Sequence, residues 1–442
     1  MSANKILLKD FTIVTMNERR DVLEHAHLVV EDGKIASLAA GPAPAGDYRE
    51  VINGGGRQVL MPGLVNTHCH APMTLMRGYG GGHDLQTWLN EYIFPVEAKL
   101  TPETIRAGTR LAAAEMIANG VTTFADMYYF CDDMAETVLD AGLNMNLSRG
   151  VTIFQEIDDP ASFVSCAESL ALAERWHGAG DGQITIDMSI HGEYTSFMAP
   201  KVWEYLAGIA RDRGLGIHVH LSETKSEHEE CMARHDGLTP FQILDRHGVW
   251  DGTRGMCAHC VWVSEEDMAE MAEKKVSVLH NPTSNLKLGS GIAPVARMRK
   301  EYGLNVALGT DGASSNNNLD LFAELKLAAL LASGATRDPN ALPAWEALEL
   351  ATVNGAKALG RSDTGSLVPG KAADLIALDF DRPHLSPCHA VEEHLVYSAR
   401  GSDVVLTMAR GKILYRNGFF STIDLDRMKY NLGQALPVLY GE

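Results

Sequence analysis

Between residues 59 and 364 the chain alternates strand-like apolar runs with helical stretches, and it does so eight times. The runs cover 59–66, 121–127, 144–151, 184–191, 215–222, 255–260, 276–280 and 304–310. Helical patterns such as Pro102–Ala118 and Pro200–Arg213 separate most of them. Strands joined in this way run parallel, with their helices packed over the sheet. Eight such units in one block predict an α/β fold of the (β/α)8 TIM-barrel type, with its active site at the C-terminal ends of the strands. The competing arrangement, a doubly wound open sheet, wants a Gly-rich phosphate loop after its first strand, and no GxGxxG is present there.

The flanks read differently. Segments 6–15 and 27–38 at one end, and 373–380 and 404–418 at the other, alternate apolar and polar residues with a period of two. Asp32-Gly33, Arg410-Gly411 and Asn417-Gly418 punctuate them as hairpin turns do. Each end also carries a Gly-Lys-Ile after an apolar strand. One small β-sandwich domain assembled from both termini, residues 1–58 and 365–442, accounts for this, with the barrel at 59–364. A length of 442 residues accommodates a large and a small domain.

A net charge of −19, spread along the chain, repels phosphate backbones and anionic lipid, so no nucleic-acid or membrane partner is expected. A small-molecule substrate suits it better. The seven cysteines are scattered and odd in number, which argues against a disulfide framework and for a reducing cytoplasm. The first residues hold no apolar signal-peptide core, and no stretch approaches a membrane span. Homo-oligomerisation is left open.

The strand ends carry the chemistry. The first run leads into His68-Cys69-His70, two imidazoles at i and i+2 that project to one side of an extended segment and can reach one metal ion. The fifth contains His218 and His220 and is followed by Glu223, a carboxylate placed to move a proton from an activated water. His218 shares a face with His220 and reads as a supporting histidine. In Cys257-Ala258-His259-Cys260 the odd offset puts the two cysteines on opposite faces, leaving His259 as the functional residue. The eighth run ends at Asp311. Three histidines and an aspartate form a sensible zinc set with a position left for water.

These residues sit in stretches that resemble a known family. PGLVNTHCH (62–70), HVHLSET (218–224), HNPTSNLKLGSG (280–291) and GTDGASSNN (309–317) are similar to the amidohydrolase superfamily and, more narrowly, to the methylthioadenosine/S-adenosylhomocysteine deaminases. SLVPGKAADLIALD (366–379) resembles the stretch where that superfamily re-enters its small β-sandwich. The resemblance implies one Zn2+ per chain on His68, His70, His220 and Asp311. It implies Glu223 as proton shuttle, His259 as holder of the hydrolytic water, and Asp311 as an additional proton acceptor. For a nucleoside substrate it implies Glu97 on the ribose hydroxyls, with Arg149 and His191 as further contacts and Trp88 stacking or packing beside the ligand. One departure stands out: Arg77 is followed by Gly-Tyr-Gly-Gly-Gly-His83-Asp84 where relatives carry paired acids.

The expected function is hydrolytic deamination of an adenine-type nucleoside: 5'-methylthioadenosine, S-adenosylhomocysteine or adenosine. The alternative is an aminohydrolase or chlorohydrolase of another nitrogen heterocycle, of s-triazine, pterin or guanine type. Two-metal amidohydrolases want a bridging lysine at the end of strand four, and 184–191 contains none. A metal-free structural homologue is disfavoured because every expected ligand is present. Between Leu111 and Arg175 the only cationic side chain is that of Arg149, so a neutral substrate tail is expected to be preferred, with Met73, Met76 and Phe94 as its walls.

Overall fold

The computed structural model describes residues 4–441. The eight barrel strands are Leu64–Cys69, Val121–Tyr128, Asn144–Arg149, a fourth in two pieces (Ile184–Ile186 and Met188–Ile190), Gly216–Leu221, Arg254–His259, Ser277–His280 and Asn305–Leu308. All their pairings are parallel. The fourth strand breaks at Asp187, so its first half pairs with strand three and its second half with strand five. Asp187 Oδ1 there accepts from Gly216 N at 2.8 Å and from Arg254 at 2.6 Å. Strands eight and one meet through Thr67 Oγ1 donating to Leu308 O (2.8 Å) and Asp311 N donating to His68 O (2.9 Å). Val65, Ala125, Met256, Ala258, Leu279 and Ala307, from strands one, two, six, seven and eight, form a buried cluster that fills the barrel interior.

Strands from both chain ends form one nine-stranded sheet with its own apolar core, which includes Ile6, Phe11, Leu28, Leu60, Leu375 and Leu406. The ends join where Gln58–Pro62 lies between Lys5–Val14 and Leu375–Asp379, pairing Leu60 with Ile13 on one side and Ala377 on the other. The two Gly-Lys-Ile turns abut: Gly33 and Gly411 both have positive φ, and a Cβ on Gly411 would fall 2.6 Å from the Gly33 Cα. Only glycine permits that approach.

The first apolar run divides in the structure. Gln58–Pro62 belongs to the nine-stranded sheet, and the barrel begins at Leu64. Gly63 is the crossing point, where a Cβ would lie 2.2 Å from Thr122 Oγ1. Between strands one and two the chain makes a turn at Ala71–Met76, passes the glycines of 78–82, and forms a helical segment from Leu85 to Glu97. Asp84 caps that segment, its carboxylate accepting from Gln86 N and Thr87 N at 3.1 and 3.2 Å. No helix among the described residues is long and apolar enough to cross a membrane.

Candidate active site

The barrel brings His68, His70, His220, Glu223, His259 and Asp311 to one end of the strands. His68 and His70 point to the same side, and Cys69 turns the other way, beside Asp126 of strand two. Three residues at the rim, Ser222, His259 and Asp311, have φ of 47°, 72° and 61°. Non-glycine residues held in that region cost on the order of 1–3 kcal/mol each and are kept where surrounding structure demands the geometry. Cys260, at φ 49°, curls back so that its thiol donates to Cys257 O at 3.4 Å. The two cysteines are therefore not separated on opposite faces, because the strand has ended before Cys260.

Each histidine is oriented from behind. His70 Nδ1–H donates to Met127 O (2.7 Å) and His220 Nδ1–H to His191 O (2.6 Å). Carbonyl oxygens only accept, so both rings carry a proton on Nδ1, which leaves Nε2 as the position for a metal or a second proton. Those Nε2 atoms lie 3.3 Å apart. His68 Nδ1 contacts His218 Nε2 at 2.9 Å, and His68 Nε2 is buried without a partner. Asp311 Oδ1 lies 3.5 Å from His68 Nε2 and 3.3 Å from His70 Nε2. Its Oδ2 accepts from Ser284 Oγ (2.6 Å) and Ser315 Oγ (2.9 Å). These donors form two overlapping three-residue clusters that could hold a metal ion, His68–His70–His220 and His68–His259–Asp311.

Electrostatics agree. Burial pulls His68 down to about 4 and His220 well below its ordinary value, so both are neutral donors. Burial also opposes charge on His70, but the Asp311 bond and charge, the Asp126 charge and the Met127 carbonyl together outweigh it and lift His70 to about 9. A proton and a metal therefore compete for that nitrogen. Burial, then the Asp311 charge, pushes Glu223 up to about 8. Its Oε1 is buried and unpartnered, and its Oε2 lies 3.6 Å from His259 Nε2. The opposite His259 nitrogen, Nδ1, meets Asn285 Oδ1 at 2.7 Å. Glu227 holds the turn bearing Glu223 by accepting from Ser222 N (2.9 Å) and Glu223 N (2.7 Å).

A cavity opens over this cluster. Leu85, Trp88, Leu89, Ile93 and Phe94 of the inserted helical segment form an apolar wall, with Met73 and Leu288 nearby. Glu97, His191, Tyr128 and Tyr194 add polar atoms. Trp88, Glu97 and His191 line the cavity. Met76 is buried elsewhere, and Arg149 is not part of the lining. The Arg149 guanidinium lies over the Tyr129 ring at 4.9 Å and is paired with Glu168 at 2.8 Å. Sequence reasoning did not single out Tyr128, Tyr194, Asn285, Ser284 or Ser315. Tyr128 ends strand two, so the strand-end rule applies to it as well; Ser284, Asn285 and Ser315 stand inside motifs already noted.

The amidohydrolase family model matches residues 59–414. The chain is 44% identical to a 5-methylthioadenosine/S-adenosylhomocysteine deaminase of Moorella thermoacetica, covering 96% of this chain and 97% of that one. It is 43% identical to a 5'-deoxyadenosine deaminase of Methanosarcina mazei, covering 96% and 95%. An adenosine deaminase from Xanthomonas campestris, solved with bound zinc, superposes with a TM-score of 0.91 at 30% identity over 99% of both chains. The chain belongs to the amidohydrolase family and is a hydrolytic enzyme acting on carbon–nitrogen bonds.

Proposed function

We propose that this enzyme is a zinc-dependent deaminase of adenine-type nucleosides, replacing the 6-amino group by oxygen and releasing ammonia. His68, His70, His220 and Asp311 would hold the ion, and three imidazoles with one carboxylate suit zinc. When bound, it supplies Lewis acidity and lowers the pKa of a coordinated water. Glu223 accepts one proton as water adds to the ring carbon and delivers it to the ring nitrogen, and the water's second proton goes to the departing amine, which leaves as ammonia. Its upward-shifted pKa, at about 8, suits a group that must both take and give a proton near neutral pH. His259 orients the attacking oxygen, and Asp311 provides a second acceptor for the water's proton.

The observation that carries the nucleoside reading is a second carboxylate facing the same cavity. Glu97 is pushed up to about 7 by burial, against the effect of the Tyr128 hydroxyl. A half-buried carboxylate remote in sequence from the hydrolytic cluster suits recognition of sugar hydroxyls. The names of the relatives, deaminases of methylthioadenosine, S-adenosylhomocysteine and 5'-deoxyadenosine, support the same class. His191 and Trp88 contact the base or its tail, and Arg149 acts from outside the lining. Among the described residues lining the cavity there is no lysine or arginine, which favours uncharged 5'-substituents. Steady-state rates on 5'-methylthioadenosine, adenosine, S-adenosylhomocysteine, guanine and an s-triazine test the proposal; turnover confined to the last two would refute it.

A further inference from the structure

We infer that Tyr128 is a specificity-determining positioning residue, whose phenol fixes one oxygen of Glu97 so that the other is presented to the paired hydroxyls of the sugar. The inference rests on the nucleoside reading above and names the residue that makes Glu97 selective. Tyr128 Oη donates to Glu97 Oε1 at 2.6 Å. Among the described residues no other hydrogen-bond donor reaches this carboxylate. An ionised carboxylate offers about four acceptor positions, and one is filled, so the half-buried Glu97 has positions left for donors from whatever enters the cavity. A vicinal diol supplies two.

The two partners differ in how they are held. Tyr128 is the last residue of barrel strand two, in register with Arg149, and its carbonyl accepts from Gly150 N at 3.0 Å. Its ring lies 5.1 Å from that of Tyr129. Glu97 belongs to the helical segment inserted between strands one and two, which enters through the glycines of 78–82. The phenol thus ties a carboxylate on an inserted segment to the barrel itself. A phenol has one hydrogen, and here it is engaged by Glu97, so Tyr128 acts on the sugar through that carboxylate. With the tether removed, the carboxylate is free to turn its unfilled oxygen away from the diol, and each hydroxyl of the substrate loses part of its advantage.

The test is kcat/KM for adenosine, 2'-deoxyadenosine and 3'-deoxyadenosine, measured on metal-replete parent enzyme, Tyr128→Phe and Glu97→Gln. Hydrogen bonds to a charged group differ from their absence by roughly tenfold to a hundredfold, so the parent should penalise each deoxy substrate by that order. In Tyr128→Phe both penalties should shrink towards one, and Glu97→Gln should reduce them likewise. A merely structural tyrosine would lower all three rates in parallel and leave the ratios unchanged, and that result overturns the inference. Full discrimination retained in Glu97→Gln overturns it too, since the diol would be read elsewhere. Failure of the parent on every adenine nucleoside would instead refute the proposed function, and this inference with it.

Discussion

His70 Nε2 and His220 Nε2 face each other at 3.3 Å, while each ring donates its Nδ1–H to a backbone carbonyl of a neighbouring strand or strand end. Two ring nitrogens at that separation, beside the unpartnered His68 Nε2 and the Asp311 carboxylate, are placed to share a cation, either a proton or a metal ion. Elemental analysis should therefore find one divalent metal per chain in active protein. His68→Ala and Asp311→Ala should each lose metal and activity together. Two equivalents per active chain would contradict the single-ion site.

Glu223→Gln should keep its metal and lose turnover. An amide has the carboxylate's shape but relays no proton, and general acid–base catalysis contributes about 10²–10⁴-fold. The comparison is kcat at matched metal content. Near-parental kcat in the metal-replete variant would place the relay on another group.

The architecture was readable because barrel strands end in residues that chemistry needs: His68, His70, His220, Glu223, His259 and Asp311 all follow from the strand-end pattern. Local pattern could not show where the first apolar run divides. Residues 59–66 read as one strand, yet Met61 pairs with Ile376 of the terminal sheet while Leu64 starts the barrel. The decision belongs to Gly63 and its close approach to Thr122, a tertiary contact. Cys260 was misplaced for a similar reason, since alternation fails once the backbone enters the left-handed region at His259. The third strand, read as 144–151, ends at Arg149, whose side chain is held by Glu168 and Tyr129, and a pairing across 19 residues leaves no mark in the strand pattern.

Charge at the cavity gives a substrate preference. Its lining contains Glu97, Glu223 and Asp311 but, among the described residues, no lysine or arginine. The amino-acid tail of S-adenosylhomocysteine finds no cationic side chain for its carboxylate in the lining unless Arg149 leaves Glu168, and must bury its own ammonium as well. Methylthioadenosine should thus exceed S-adenosylhomocysteine in kcat/KM by about tenfold or more, the order expected for an unpaired charged group. Arg149→Met should then reduce S-adenosylhomocysteine turnover more than that of the neutral substrate. A parental preference for S-adenosylhomocysteine would contradict this account, and equal losses in the variant would assign Arg149 to the nucleoside or to the fold.

Glu324 ties together the two segments that support Asp311. It is fully buried and accepts from Thr283 N (3.1 Å) and Asn316 Nδ2 (2.8 Å). Burial raises it from 4.5 to about 7. The unfolded chain therefore releases this proton at lower pH than the folded one. Its contribution to stability is whole below about pH 4.5 and is lost as pH rises through about 7. Glu324→Gln cannot ionise, so its Tm relative to the parent should become more favourable between pH 5 and pH 8, by roughly a few degrees. A difference in Tm independent of pH would show that Glu324 does not titrate in this window.

The most direct test of the central claim is the ultraviolet change from an adenine to a hypoxanthine chromophore, followed with ammonia release on purified, zinc-loaded enzyme given 5'-methylthioadenosine. The account predicts one ammonia per chromophore converted, with loss of both signals on chelation and recovery on adding zinc. A zinc-replete enzyme that leaves 5'-methylthioadenosine, adenosine and 5'-deoxyadenosine unchanged, while hydrolysing guanine or an s-triazine, would contradict it.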